Sequence, residues 1–343
     1  MTDKAPCARS EVSTMTIEAI LSSGILNYLV GFLIVASIYA LFTLGLNVHF
    51  GETGLINFGV AGFFAIGAYT AALVTKPLPT GELARYTQQA LGLDQPFLVG
   101  VIAAAVVCGI VAVLIGIPTL RLREDYLAIA TIGIAESIRL VFNNEQWLAN
   151  GSQGLVGIPR PLYDLVPPAY YNYIYLGIVV LILAFVAVLL ERMIRSPWGR
   201  VLRAIREDEV VAAAYGKNVF GFKLQALVLG AMVMGIGGAL YAHNAGTISP
   251  GVFEPVFGTF IVWVMLILGG SGNTKGVILG AFVFWAIWAG TQFATDALVP
   301  PALSARAPYF RFLLIETLLV LMLLFRPKGI LGEERFVSTL RPR

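Results

Sequence analysis

Apolar residues gather in nine runs, at about 25–46, 55–75, 97–119, 124–142, 172–192, 222–245, 252–269, 275–296 and 309–325. Each approaches the roughly 20 residues that a helix needs to cross a ~30 Å hydrocarbon layer. None alternates apolar and polar positions as a barrel strand does, and a backbone in lipid must satisfy its own hydrogen bonds. The pattern predicts an all-α polytopic membrane protein of about 8–10 transmembrane helices. The second run is interrupted: Gly45, Gly51, Gly54, Gly59, Gly62 and Gly67 fall among its apolar positions. A discontinuous, Gly-rich segment near 45–67 is the expectation, allowed at membrane depth only where protein or a water-filled cavity covers the freed backbone.

Composition agrees. Of 343 residues, 58% are hydrophobic and 13% charged, about half the charge of an ordinary soluble domain. With 23 Lys and Arg against 20 Asp and Glu, the net charge of +3 is too small to suggest nucleic-acid binding. Placement of the cations says more. Segment 192–223 carries seven of them, the tail after Phe325 carries five, and the turn 120–124 carries Arg121 and Arg123. Basic loops stay cytoplasmic. Two predicted crossings separate the first pair of basic segments and four the second, so all three fall on one side. The expected division is an N-terminal extension at 1–24, a transmembrane domain at 25–326 with an inner loop at 193–221, and a cytoplasmic tail at 327–343.

Little catalytic chemistry is visible. Cys7 and Cys108, like His49 and His243, are too few and too far apart for a metal cluster. The segment Gly269-Gly-Ser-Gly-Asn-Thr-Lys275 has Thr274 where a phosphate-binding loop needs glycine. Gly235-Ile-Gly237-Gly238 lies in an apolar run and reads as helix packing. The expectation is a non-enzymatic chain without cofactor or metal.

Polar residues inside the apolar runs are the candidate substrate path: Asn47, Glu52, Thr53, Asn57 and Gly59 in the interrupted segment, with Glu136 and Arg139 on the fourth run. Glu136 and Arg139 are three apart and share a helix face. They suit a structural ion pair or a lining for a zwitterion. Glu316 is a further buried candidate. No file of Asp, Glu or His runs along one helix, which counts against a proton relay.

The inner loop from Ser196 to Gly216 is the most informative stretch. Arg203, Arg206, Glu207, Asp208 and Glu209 precede Ala212, Ala213 and Ala214, and Gly216 supplies a helix stop. The pattern predicts one short cytoplasmic helix whose alanines dock into a groove on another protein while the charges fix its orientation.

In this loop the chain resembles the permease subunits of ATP-driven importers. It is most similar to the M-type subunit of the branched-chain amino-acid permeases, through Ser196-Pro-Trp-Gly199-Arg200, Ala204-Ile-Arg-Glu-Asp-Glu209 and Gly216. The general importer signature, Glu-Ala-Ala followed after three residues by Gly, is met only at Ala212 and Gly216. Further matches are Leu44-Gly-Leu-Asn47, Phe63-Phe-Ala-Ile-Gly-Ala-Tyr69, the stretch from Leu120 to Thr131, Glu136-Ser-Ile-Arg139, the stretch from Asn150 to Pro159, and Phe325-Arg-Pro-Lys-Gly-Ile-Leu-Gly332. The resemblance implies a coupling helix that includes Gly199 and Arg200. It also implies an H-type permease partner, two ATPase subunits that bind ATP and Mg, and a periplasmic or lipid-anchored binding protein. A multi-pass place in the bacterial cytoplasmic (inner) membrane follows, with branched-chain or other neutral amino acids as cargo. A urea importer of the same architecture and a lone ion-gradient transporter are the alternatives.

Overall fold

The computed structural model describes residues 24–80, 87–298, 313, 317, 320, 321, 324, 325 and 328–332. Eight of the nine predicted runs are helical among them. The ninth lies mostly outside the described residues, as do Glu316 and residues 1–23 of the N-terminal extension.

Helix α1 (Gly24–Leu46) is followed by a π-helical turn (Asn47–Gly51), an irregular break at 54–59 and α2 (Val60–Thr75). Then come α3 (Phe97–Thr119), α4 (Glu124–Asn144), the short α5 (Gln146–Ala149) and α6 (Pro168–Arg195). The inner loop holds α7 (Pro197–Glu207) and α8 (Glu209–Ala214), and leads into α9 (Val219–Ala245). A 3₁₀ turn (Pro250–Phe253) and a π-helical turn (Val256–Phe260) precede α10 (Ile261–Gly269), and α11 spans Thr274–Leu298. One two-stranded antiparallel pair, β1 (Leu155–Val156) with β2 (Thr247–Ile248), ties the outer loops together.

The core is built around α1, α2 and α9. Every residue of α2 except Thr70 is buried, so this helix is apolar on all sides, as a central span must be. It packs between α3, α4 and α9, while α1 packs on α6, α9 and α11. Small residues let the central helices meet. A Cβ on Gly67 would lie 2.4 Å from the carbonyl oxygen of Gly235, and one on Gly238 would lie 2.5 Å from that of Phe64. The glycines of Gly235-Ile-Gly237-Gly238 are thus a packing seam. Between α2 and α4 the rings of Tyr69 and Phe142 stack with centroids 4.0 Å apart.

The basic segments share one end of the bundle. Leu120 and Leu122 line the same cleft as Arg206 and Lys223. Ile330 N–H donates to Leu268 O at 2.9 Å and Leu331 N–H to Gly269 O at 3.1 Å, drawing 328–332 to the end where α10 turns into α11. Asn47 sits there too, so α1 crosses completely, with Gly24 at the opposite end.

Several boundaries differ from expectation, three of them informatively. The second helix begins at Val60 rather than 55: Gly54 takes φ +78°, and the Asn57 side chain accepts the Gly59 N–H at 2.7 Å in place of a helical bond. The run at 252–269 becomes continuously helical only from Pro255, whose missing N–H suits a helix start, and passes through the π-helical turn before α10 begins at Ile261. Helix α6 extends to Arg195, a turn beyond its apolar run into the basic loop.

Candidate functional site: the inner loop and its anchorage

The inner loop is two helices, not one. Ser196 Oγ accepts from Trp198 N–H and caps α7, with Pro197 at its first position. The chain breaks at Asp208, whose Oδ1 accepts from Val210 N–H at 2.9 Å and Val211 N–H at 3.0 Å and so starts α8. The expected continuous helix is overruled by this cap, since an aspartate satisfies the free N–H groups of a helix start better than it serves a helix interior. Gly216 ends α8 with φ +76°, a conformation that a Cβ makes costly.

The faces of this helical pair divide by chemistry. Gly199, Leu202 and Ile205 are buried against the bundle. A Cβ on Gly199 would lie 2.0 Å from Ile194 O, so only glycine lets α7 fold back onto the end of α6. On the other side an open groove of about 570 Å³ runs between Pro197, Val201, Ala204, Val211, Ala212 and Tyr215, with Arg200 and Lys217 at its margins. Val210 and Tyr215 are 75% and 81% exposed. Ala213, Glu207 and Asp208 also face outward. Glu209 turns back to pair with Lys223 at the start of α9.

Two arginines fasten the loop to the core. Arg206 Nη1 donates to the carbonyl oxygen of Gly51, the last residue of the π-helical turn. Arg203 donates from Nη2 to Ile194 O at 3.1 Å and brings Nε to 3.8 Å from Oε2 of the buried Glu52.

Behind these contacts lie several buried polar bonds, with His49 and Asn57 at their centre. His49 Nε2 faces Leu227 O at 2.9 Å; a carbonyl can only accept, so Nε2 carries the proton. Nδ1 then accepts from Asn57 Nδ2, also at 2.9 Å. Trp263 Nε1 donates to Asn57 O at 3.1 Å, Gly272 N–H donates to Asn47 Oδ1 at 2.8 Å, and Thr53 Oγ1 donates to Val48 O at 2.9 Å. Asn47, Glu52, Thr53 and Asn57, read from the sequence as a substrate path, are therefore brought together, with their polar groups turned inward to join α1, α9, α10 and the inner loop. Gly59 sits against Thr131 of α4.

Glu136 and Arg139 stand apart from that network. On α4 they form a two-point pair, Arg139 Nε to Glu136 Oε2 at 2.9 Å and Nη2 to Oε1 at 2.5 Å, with side chains 36% and 21% exposed respectively. Glu254, in the break before α10, is exposed. Neither Glu254 nor His49 was singled out from the sequence. The Pro255 next to Glu254 and the polar neighbours of His49 were the only local signals.

Comparison with known proteins now bears on this arrangement. The family described as "Branched-chain amino acid transport system / permease component" matches residues 28–323. The chain belongs to this family. The high-affinity branched-chain amino acid transport system permease protein LivM of Escherichia coli is 31% identical over 320 residues, covering 87% of this chain and 68% of LivM. The probable LivM of Methanocaldococcus jannaschii is 26% identical, covering 88% and 92%. LivH of Salmonella typhimurium, a second permease protein, is 23% identical, covering 87% and 92%. No solved structure matches. This member of the permease family is thus a multi-pass, all-α membrane protein, more similar to the M-type sequences than to the H-type one. Among its described residues, five helices are long and apolar enough to cross a bilayer unaided; α2, α4 and the broken segment ending in α10 are shorter or more polar and lean on them.

Proposed function

We propose that this chain is the M-type translocation subunit of an ATP-driven importer for branched-chain amino acids, set in the bacterial inner membrane beside an H-type permease. ATP and Mg are bound by two ATPase subunits, the cargo arrives on a separate binding protein, and this chain catalyses no reaction. The observation that carries the reading is the inner loop. An exposed apolar groove on α7 and α8 has no business facing cytosol unless a partner covers it, and its other face is fastened by Arg203 and Arg206 to the core. Movement imposed on the groove therefore reaches the π-helical turn of α1 directly. Permease family membership and relatives named as branched-chain amino acid permeases support the same substrate class.

The test is reconstitution in liposomes of the chain with its permease partner, both ATPase subunits and the binding protein. Leucine uptake should require ATP and every component. Uptake by this chain alone, driven by an ion gradient, would overturn the reading.

A further inference from the structure

Among the described long helices, α4 alone carries an ion pair near its middle, on a face that is only partly apolar. On α3 the exposed positions are Ile102, Val106, Ile110 and Leu114, and on α6 they are Leu181 and Phe185. On α4 the outward face also exposes Ile129, Leu140 and Val141, but between them lie Gly133, over which there is open space, exposed Ser137 and the half-open Glu136–Arg139 pair. Glu136 lies twelve residues beyond the cytoplasmic start of α4, about 18 Å at 1.5 Å per residue. That is close to the middle of a ~30 Å core. Ionised groups at this depth face a partner or a polar cavity.

The backbone packed against α4 and α2 is broken. Helix α4 packs against the turn Pro250–Phe253, and α2 packs against the π-helical turn Val256–Phe260. Phe58 joins the two sides: its N–H donates to Thr131 Oγ1 of α4 at 3.0 Å, and its ring lies 5.8 Å from that of Phe260. Phe257 and Phe260 remain 36% and 44% exposed.

We propose that this face is a transient binding site for a zwitterionic amino acid with an aliphatic side chain, closed on its far side by the partner permease. Glu136 receives the substrate ammonium, Arg139 receives its carboxylate, and the side chain lies on Phe257 and Phe260. When the site is empty, the carboxylate and guanidinium neutralise each other. When substrate enters, one internal ion pair is exchanged for two with the zwitterion, and the net charge of the site is unchanged. Entry and exit therefore never leave an extra charge at mid-membrane, which suits a site that must release its cargo. An uncharged solute such as urea cannot make this exchange.

The site rests on the importer reading, and the experiment separates the two. In liposomes holding the complete importer, Glu136→Gln and Arg139→Gln should each lower leucine uptake at least about tenfold, the effect of one lost charge-assisted contact. Stimulation of ATP hydrolysis by the binding protein should persist, and Arg139→Lys should recover part of the uptake. Phe260→Ala should shift the preference among alanine, valine and leucine. Variants that carry leucine at the wild-type rate and preference would overturn the site while leaving the importer intact. Failure of wild-type uptake would strike the importer reading itself. A labelling experiment covers variants that assemble poorly. Ser137→Cys in a Cys7→Ser background, with Cys108 buried, should react with a membrane-impermeant thiol reagent in the assembled complex. Leucine-loaded binding protein and ATP should slow that reaction. Labelling by lipid-soluble reagents alone would place the face in lipid and refute the proposal.

Discussion

Arg203 Nε lies 3.8 Å from Oε2 of Glu52, and the two side chains differ sharply in burial: 19% exposed for the arginine, 1% for the glutamate. The pair joins the inner loop to the end of α1 across 151 positions of sequence. Its asymmetry predicts unequal mutants. Arg203→Ala takes a countercharge from a carboxylate held away from water and should cost up to about 3 kcal/mol, the lower part of the range for breaking a buried pair. Glu52→Gln leaves a guanidinium that still reaches solvent and should cost less. Thermal unfolding of the two variants in detergent, compared with wild type, checks the order; equal losses would contradict it.

The His49 network predicts a site that tolerates no added volume. A Cβ on Gly230 would lie 2.2 Å from His49 Nε2 and 2.5 Å from Gly45 O. Gly230→Ala should therefore destabilise by about 1–3 kcal/mol, the usual penalty of overpacking. Gly177 on α6 has nothing within 4 Å of the same added atom. Gly177→Ala should be neutral or gain about 0.5–1 kcal/mol from its better helix propensity. Paired Tm measurements decide, and similar losses at both glycines would rule the network out as the cause.

Asp208 separates α7 from α8 by capping the second helix. Asp208→Ala should weaken that start by about 0.5–2 kcal/mol, whereas Asp208→Asn keeps an acceptor oxygen and most of the stability. Hydrogen exchange at 209–214 should be faster in the alanine variant alone. Unchanged exchange there would show that tertiary packing, not the cap, holds α8.

Gly216 makes a fourth case. Its φ of +76° comes with open space around it, so substitution acts through backbone conformation and not through collision. Gly216→Ala should cost roughly 1 kcal/mol and Gly216→Asn less, since asparagine tolerates the left-handed region. An aspartate, also tolerant of that region, adds charge where we propose that the loop meets its partner and should lower uptake more than it lowers stability. Comparing uptake with Tm for the three variants separates strain from docking.

The membrane helices were legible in the sequence because lipid imposes one rule on each of them: a long apolar run with its hydrogen bonds closed internally. The common side of the basic segments followed from charge placement for the same reason. Contacts between distant segments were not legible. Nothing near Arg206 announces that it will donate to Gly51, 155 positions away, and nothing near His49 names Leu227. For that reason Asn47, Glu52, Thr53 and Asn57 read as a passage, and nothing near them names Gly272, Arg203 or Trp263 as their partners. The break at 54–59 was visible as a run of glycines, but its position depended on Asn57 bonding to Gly59. Asp208 was misjudged because a residue that interrupts a helix and one that decorates its surface look alike until the cap is seen. The Glu136–Arg139 pair was legible from its spacing alone; the neighbouring Glu254 and the aromatic rim came only with the fold.

One measurement bears most directly on the account, in which the groove on α7 and α8 is where an ATP-hydrolysing partner seats. Val211 and Tyr215 line that groove, are 50% and 81% exposed, and can be changed to aspartate without disturbing the core. Purification of the Val211→Asp, Tyr215→Asp chain should recover the partner permease in normal amount and little or no ATPase subunit. Recovery of the full complement of ATPase subunits, with normal ATP-dependent leucine uptake, would contradict it.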